Sequence, residues 1–483
     1  MLASRDNYAQ GISAPTLPAM AAVKLFGLLA FLSVLLLLSQ TITSPLLSCL
    51  ALVYYVLLSW YVVSYFPAAF VLLLWFIFIR LTMMISGVAI ETGGFMPEFL
   101  MTGEPTGAFV HLAAVYTAGI LLCTAIMTIA MRFLPASTHT QSPVFYSWFY
   151  LVFALVVFLC LWAIGLGLKH GFPALEGVDR ILYWKQVSSR FLFFFLGNRP
   201  IFALLLGLIY SLSTGWNKRI SLGIFLLVLV ISLLFAEKFT SICMLIFSFV
   251  TPVFLRNHNH LQSLAKRLIP IGFVIAMITI PAILIAYGAL DDLATAKNGL
   301  AQRATSQAQI WYVADRDQND LLDLNKAALS QNLAAITAFN PEQYAQSPPY
   351  IGARYYMAAH MTRDRYAHYL DRGVTLTMAT EGYLLHIFGW IGMLLPYAAL
   401  LSVYAVYGLY LYFAIVTANP LRLILAGKLL VWANFGLNQG YAWFVIGLRP
   451  MALLAVIVMV EWIVFMIARN RRQQGSVFTR RAL

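Results

Sequence analysis

Residues 23–86 read VKLFGLLAFLSVLLLLSQTITSPLLSCLALVYYVLLSWYVVSYFPAAFVLLLWFIFIRLTMMIS, and the only charges in this stretch are Lys24 and Arg80. Three apolar runs, 23–40, 45–63 and 67–86, are separated by short polar or proline-containing breaks. Each run approaches the roughly 20 residues that a helix needs to cross hydrocarbon. Lipid offers no partner for free backbone amides and carbonyls, so runs of this length must close their hydrogen bonds internally as helices.

The same reading extends along the chain. Further candidate spans are 109–131, 148–167, 199–213, 219–235, 238–254, 268–289, 383–416, 421–438 and 443–467. The composition agrees: 61% of the 483 residues are hydrophobic and only 10% are charged, against about 25% charged in soluble domains. The expected fold is therefore all-α, a polytopic transmembrane helical bundle of about twelve spans forming one membrane domain over 1–483. The first run lacks a small-x-small cleavage pattern and reads as a retained span rather than a signal peptide.

Orientation follows from Lys and Arg in the short connections. Arg132, Lys218, Arg219, Arg256, Lys266 and Arg267, with the C-terminal Arg469, Arg471, Arg472, Arg480 and Arg481, predict one cytoplasmic face that also holds both termini. The opposite, outer face then receives three polar segments, 87–108, 168–198 and the large loop 290–382. In the last, stretches 291–313, 320–336 and 350–372 favour short helices lying over the bundle, interrupted by SPPY at 347–350. The formal charge of +13 is spread over segments flanking the membrane, which argues against nucleic acid as a partner. Cys49, Cys123, Cys160 and Cys243 all lie in apolar runs, without the spacing of a zinc site or a disulfide framework.

An unusual number of cations remains outside or within spans. Lys238 lies in the AEKFTS break at 236–241, Arg199, Arg303 and Arg363 in or beside outer segments, and Arg80 and Arg449 within spans. Guanidinium forks match phosphate oxygens bidentately, so the set suggests an anionic ligand; pairing with outer acids is the alternative reading. For Arg80 the candidate carboxylate partners are Glu91 and Glu461, and Arg449 could snorkel. Glu381, His360, His368 and His386 lie in or just after the large loop and are candidate general bases. The acids Asp315, Asp317, Asp320 and Asp323 lack the glycine and closing glutamate of a calcium loop and read as a solvated surface. No Ser-His-Asp or phosphate-cradling pattern is visible along the chain, and neither a metal nor a cofactor is expected.

Four short segments, GFPALEGVDR at 171–180, AEKF at 236–239, RATSQAQIWY at 303–312 and TEGYLLHIFGWIG at 380–392, together with the topology, resemble the bacterial O-antigen polymerases. The resemblance implies a GT-C-like membrane glycosyltransferase of the inner membrane with periplasmic loops. Its donor and acceptor would be oligosaccharide units on undecaprenyl pyrophosphate, with membrane lipid and a chain-length regulator protein as further partners. Under that resemblance Arg303, Lys238, Arg199, Arg80, Arg363 and Arg449 would hold pyrophosphate, and Glu381, His386 or His360 would act as base. Trp184, Trp311, Tyr312 and Tyr355 would be sugar platforms, or else aromatic belt residues. Met378 stands where related O-antigen ligases carry a His-Asn pair, which counts against a ligase. A lipid-linked oligosaccharide flippase is the rival class; it would place polarity at mid-depth in several spans, whereas here polarity concentrates outside.

Overall fold

A computed structural model describes residues 19–133, 147–176, 180–187, 189–237, 239–256, 302, 304–318, 320–372, 375–377 and 379–481. Apart from one short antiparallel pair, Phe95–Met96 with Met101–Thr102, the regular elements among these residues are helices. The long ones are α1 (Ala19–Ser39), α2 (Pro45–Tyr65), α3 (Pro67–Glu91), α4 (Ala108–Met131) and α5 (Ser147–His170). After two short pieces, α6 (Pro173–Glu176) and α7 (Arg180–Val187), come α8 (Arg190–Leu212), α9 (Gly215–Leu234) and α10 (Phe239–Arg256). Ten helices among the described residues are long and apolar enough to cross a membrane, and Thr240–Arg256 is a shorter apolar helix. The expected span 268–289 lies outside the described residues.

The punctuation seen in the sequence is what ends these helices. Ser44 caps α2 by accepting a hydrogen bond from the Leu46 amide, with Pro45 at the first helical position, and Pro67 starts α3 without a side-chain cap. Proline costs nothing there because its missing N–H would have no intrahelical partner. The tight return between α9 and α10 passes through Ala236 at φ 53°.

The large loop folds into five short helices: α11 (Gln309–Asp317), α12 (Lys326–Thr337), α13 (Glu342–Gln346), α14 (Ala353–His360) and α15 (Arg363–Arg372). These dock on one end of the bundle, hereafter the capped end. The Trp311 indole donates to the Ala108 carbonyl at 2.8 Å, the Ala308 amide to Ser86 Oγ at 3.1 Å, and Thr305 Oγ1 to the Phe95 carbonyl at 2.8 Å. Gly352, at φ 58°, brings α14 against the bundle so closely that a Cβ there would lie 2.4 Å from the Gln439 carbonyl oxygen. Only glycine meets both demands.

One expected span is corrected. The apolar run 383–416 is two helices, α16 (Thr380–Gly392) and α17 (Leu394–Val416), because Gly389 adopts φ 70° inside α16 and breaks its geometry. The freed backbone groups pair with the loop: the Ile391 amide donates to the Leu321 carbonyl and the Asn325 amide to the Ile387 carbonyl, each at 2.9 Å. Hydropathy averages over such a break and cannot register it. The bundle is completed by α18 (Pro420–Gln439), the short α19 (Trp443–Ile446) and α20 (Leu448–Arg481).

Candidate functional site at the capped end

Arg80 lies in the middle of α3 and is fully buried. Its Nη2 donates to Glu381 Oε1 at 2.9 Å and its Nη1 to Asn438 Oδ1 at 3.1 Å. The guanidinium also sits 4.0 Å from the centre of the Phe76 ring. Glu381, in the first turn of α16, receives a second hydrogen bond from Tyr397 Oη at 3.1 Å. The partner anticipated as Glu91 or Glu461 is thus Glu381. Glu91 accepts instead from Ser48 Oγ and Thr106, and Glu461 pairs with Arg422 at 2.5 Å. The pairing also corrects two role assignments. Arg80 is committed to a carboxylate and Glu381 is wholly enclosed, so the first is not free for pyrophosphate and the second cannot reach an acceptor sugar.

Other expected residues are likewise used in holding the protein together. Arg199, buried within α8, pairs with Glu237 at 2.8 Å and donates to Ser232 Oγ at 2.9 Å. Arg449 pairs with Glu342 at 2.5 Å and so ties α20 to α13. Trp311 is fully buried, and Tyr312 uses its hydroxyl to bridge the Glu104 amide and carbonyl at 2.9 and 3.2 Å, so neither offers a ring face to a sugar. Trp184 is half-buried and edge-on to Phe193. Arg363 is exposed at the start of α15. Lys238 and Arg303 lie outside the described residues.

The histidines fare differently. His386 stacks on Tyr355 with ring centroids 4.0 Å apart, and its Nε2 lies 3.1 Å from Asn325 Nδ2. His360 stacks on Tyr356, with Nε2 3.5 Å from Asp317 Oδ2. Burial pushes the His360 imidazole below its ordinary pKa, opposed by Asp317 and assisted by Arg316. A third histidine, which the sequence did not single out, belongs with them. His111, in the first turn of α4, places Nδ1 2.9 Å from Asp315 Oδ1 and Nε2 3.4 Å from Ser39 Oγ. The three residues are 72 and 204 positions apart in pairs, so no linear motif announces them.

The capped end also holds a buried cation and an apolar cavity. Arg354 in α14 is 5% exposed and makes no ion pair among the described residues. Its Nη1, like that of Arg365, is buried without a hydrogen-bond partner there. The guanidinium hydrogen-bonds the Tyr441 hydroxyl, and Tyr366 lies within reach of its charge. Residues Gly440 and Ala442, on either side of Tyr441, line a cavity of about 240 Å³ between α12, α16, α17 and α18. Its other walls include Leu333, Ile336, Leu384, Ile387, Leu400 and Val403, so it is an apolar chamber. Both arginines lie in the large outer loop 290–382, and nothing in the sequence distinguishes them from Arg199 or Arg449, which are paired.

No curated protein and no solved structure matches the chain. A family of unknown function, DUF6418, matches residues 349–454, a segment that runs from Pro349 through Arg354, Glu381, Asn438 and Tyr441 into the start of α20.

Proposed function

We propose that this chain is a membrane glycosyltransferase that joins oligosaccharide units carried on a polyprenyl pyrophosphate, in the manner of an O-antigen polymerase. The capped end would face the periplasm. This orientation is supported by the basic short connections, including Lys218 and Arg219 at the start of α9, gathering at the opposite end. The observation that carries the reading is that the capped end holds both an apolar chamber and the buried guanidinium of Arg354, which has the Tyr441 hydroxyl but no acid as partner among the described residues. A ligand suited to both has a branched hydrocarbon tail and an anionic head, and burying a guanidinium without an anion is costly enough that the site is built for one.

In the reaction, the acceptor hydroxyl oxygen attacks the anomeric carbon of the growing chain. The bond from that carbon to pyrophosphate breaks, its electron pair leaves with the lipid pyrophosphate, and the hydroxyl proton passes to a base. Fixed positive charge on the departing group is the main source of rate, since it acts where charge develops. Arg354, with Arg365, is assigned to that role.

The test uses purified protein in detergent with lipid-linked repeat units, the products being separated on a gel. A ladder formed without any other protein supports the reading, and unchanged units refute it. Units carried across a proteoliposome membrane without a ladder would indicate a flippase. Arg354→Ala should remove the ladder while leaving the protein monodisperse; full activity in that variant would refute its assignment.

A further inference from the structure

The base was the least defined part of the reaction in the sequence, and the enclosure of Glu381 removes its first candidate. We propose that His111, oriented by Asp315, is the general base that takes the proton of the acceptor sugar hydroxyl, with Trp390 as the platform for that sugar; this rests on the glycosyl-transfer reading above.

The geometry is that of an oriented imidazole. A hydrogen bond of 2.9 Å between Nδ1 and Asp315 Oδ1 fixes the ring and favours the proton on Nδ1, which leaves the Nε2 lone pair free to accept. The His111 side chain is 21% exposed and that of Asp315 7%, so the acid is sheltered and the base can be reached. Ser39 Oγ, 3.4 Å from Nε2, also donates to the Leu36 carbonyl at 2.8 Å, which makes its contact with His111 the weaker of the two. An incoming hydroxyl can displace it. Trp390 stands edge-on to His111 at 5.3 Å between ring centroids and is only partly buried. Its indole N–H is held by the Gln318 carbonyl at 3.3 Å, and Trp311 braces it at 5.7 Å. Trp311 is therefore the support of a sugar platform rather than the platform. Among the described residues, the charged groups facing His111 are Asp315 from α11 and Glu91 from α3.

During transfer the acceptor hydroxyl gives its proton to Nε2 as its oxygen bonds to the anomeric carbon, and the imidazolium formed is balanced by Asp315, which remains a carboxylate. Asp315 is a positioning residue. His360 and His386 lack this combination: the first meets its acid only at 3.5 Å and the second faces an amide.

The experiment compares wild type, His111→Gln, Asp315→Asn and Trp390→Phe in the ladder assay, each first checked for an unchanged elution profile and melting temperature in detergent. His111→Gln should lose on the order of 10²-fold or more in rate, as for removal of a general base, while binding of the lipid-linked unit is retained. Asp315→Asn should lower the rate and move the acidic limb of the pH–rate profile to lower pH, because the imidazolium loses its counter-charge; a merely structural residue would leave that limb in place. A wild-type ladder with full activity in His111→Gln, or an unmoved limb in Asp315→Asn, overturns the base assignment alone. Labelling of Ser39 by a fluorophosphonate would also overturn it, by making the array nucleophilic. Absence of a wild-type ladder overturns the glycosyl-transfer reading, and this inference with it.

Discussion

Replacing Arg80 by Met should damage the protein more than replacing Glu381 by Gln, although the two side chains form one ion pair. The asymmetry follows from what each partner keeps. Without the Glu381 charge, the Arg80 guanidinium still donates to Asn438 at 3.1 Å and lies 4.0 Å over the Phe76 ring, a contact worth about 2 kcal/mol when desolvated. Without Arg80, the Glu381 carboxylate keeps only the Tyr397 hydroxyl at 3.1 Å, and its Oε2 has no partner among the described residues. Breaking a buried pair by removing one partner costs about 3–5 kcal/mol. We therefore expect Arg80→Met near the upper end of that range and Glu381→Gln about 2 kcal/mol below it. The double variant Arg80→Met/Glu381→Leu should recover much of the loss, because two apolar groups leave no buried charge. The assay is reversible unfolding in mixed SDS and dodecyl maltoside micelles, with the four proteins arranged as a double-mutant cycle. Equal losses in the two single variants, or a double variant whose loss equals their sum, would refute the reasoning.

Two further perturbations concern the docking of the loop helices. Gly352→Ala should loosen the cap, since the residue must keep φ 58° and its new Cβ would meet the Gln439 carbonyl at 2.4 Å; the expected cost is about 1–3 kcal/mol from the backbone conformation alone, read as faster proteolysis between α12 and α15, and unchanged cleavage would count against the contact. For His360 the sign is set by a folded-state pKa below the ordinary 6.5. The unfolded chain binds a proton first as the pH falls, so stability is lost downward from about 6.5 toward the lowered value. The melting temperature of wild type should fall between pH 7 and 5 more than that of His360→Gln, and parallel curves would refute a buried neutral imidazole.

Chain-wide features were legible in the sequence because they rest on counts and periodicity. The apolar runs fix all-helical spans, the proline and serine breaks fix where α2, α3 and α18 begin, and the polar loop was expected to carry helices interrupted near 347–350. What escaped depends on contacts between distant positions. Gly389 looked like any glycine in an apolar run until the loop backbone at 320–321 was seen against it. Arg80, Arg199 and Arg449 could not be told from Arg354, because a charge's partner lies in another element: Glu381, Glu237 and Glu342 for the first three, and no acid among the described residues for the last. The His111, Asp315 and Ser39 array spans α1, α4 and α11, so only the fold assembles it.

The extent of the family match places a physical requirement on the proteins that share it. Residues 349–454 contain Glu381, Tyr397 and Asn438, but not Arg80, which is the cation that balances them. The segment alone leaves its buried glutamate without the cation that pairs with it, and an unpaired carboxylate in a bundle core costs several kcal/mol. A relative that retains the acid as a carboxylate needs a cation for it from outside the match, as α3 supplies here; otherwise the acid must be held protonated or be replaced. The same segment carries Arg354, Tyr441 and part of the chamber wall, whereas His111 and Asp315 lie outside it. Under the proposed function, the groups assigned to an anionic lipid head would lie in the matched segment, while the proposed base would come from the remainder of the chain. On the proposed function, a relative with Arg354 and Tyr441 but no histidine and acid at the positions of His111 and Asp315 would bind the lipid-linked ligand and not transfer it.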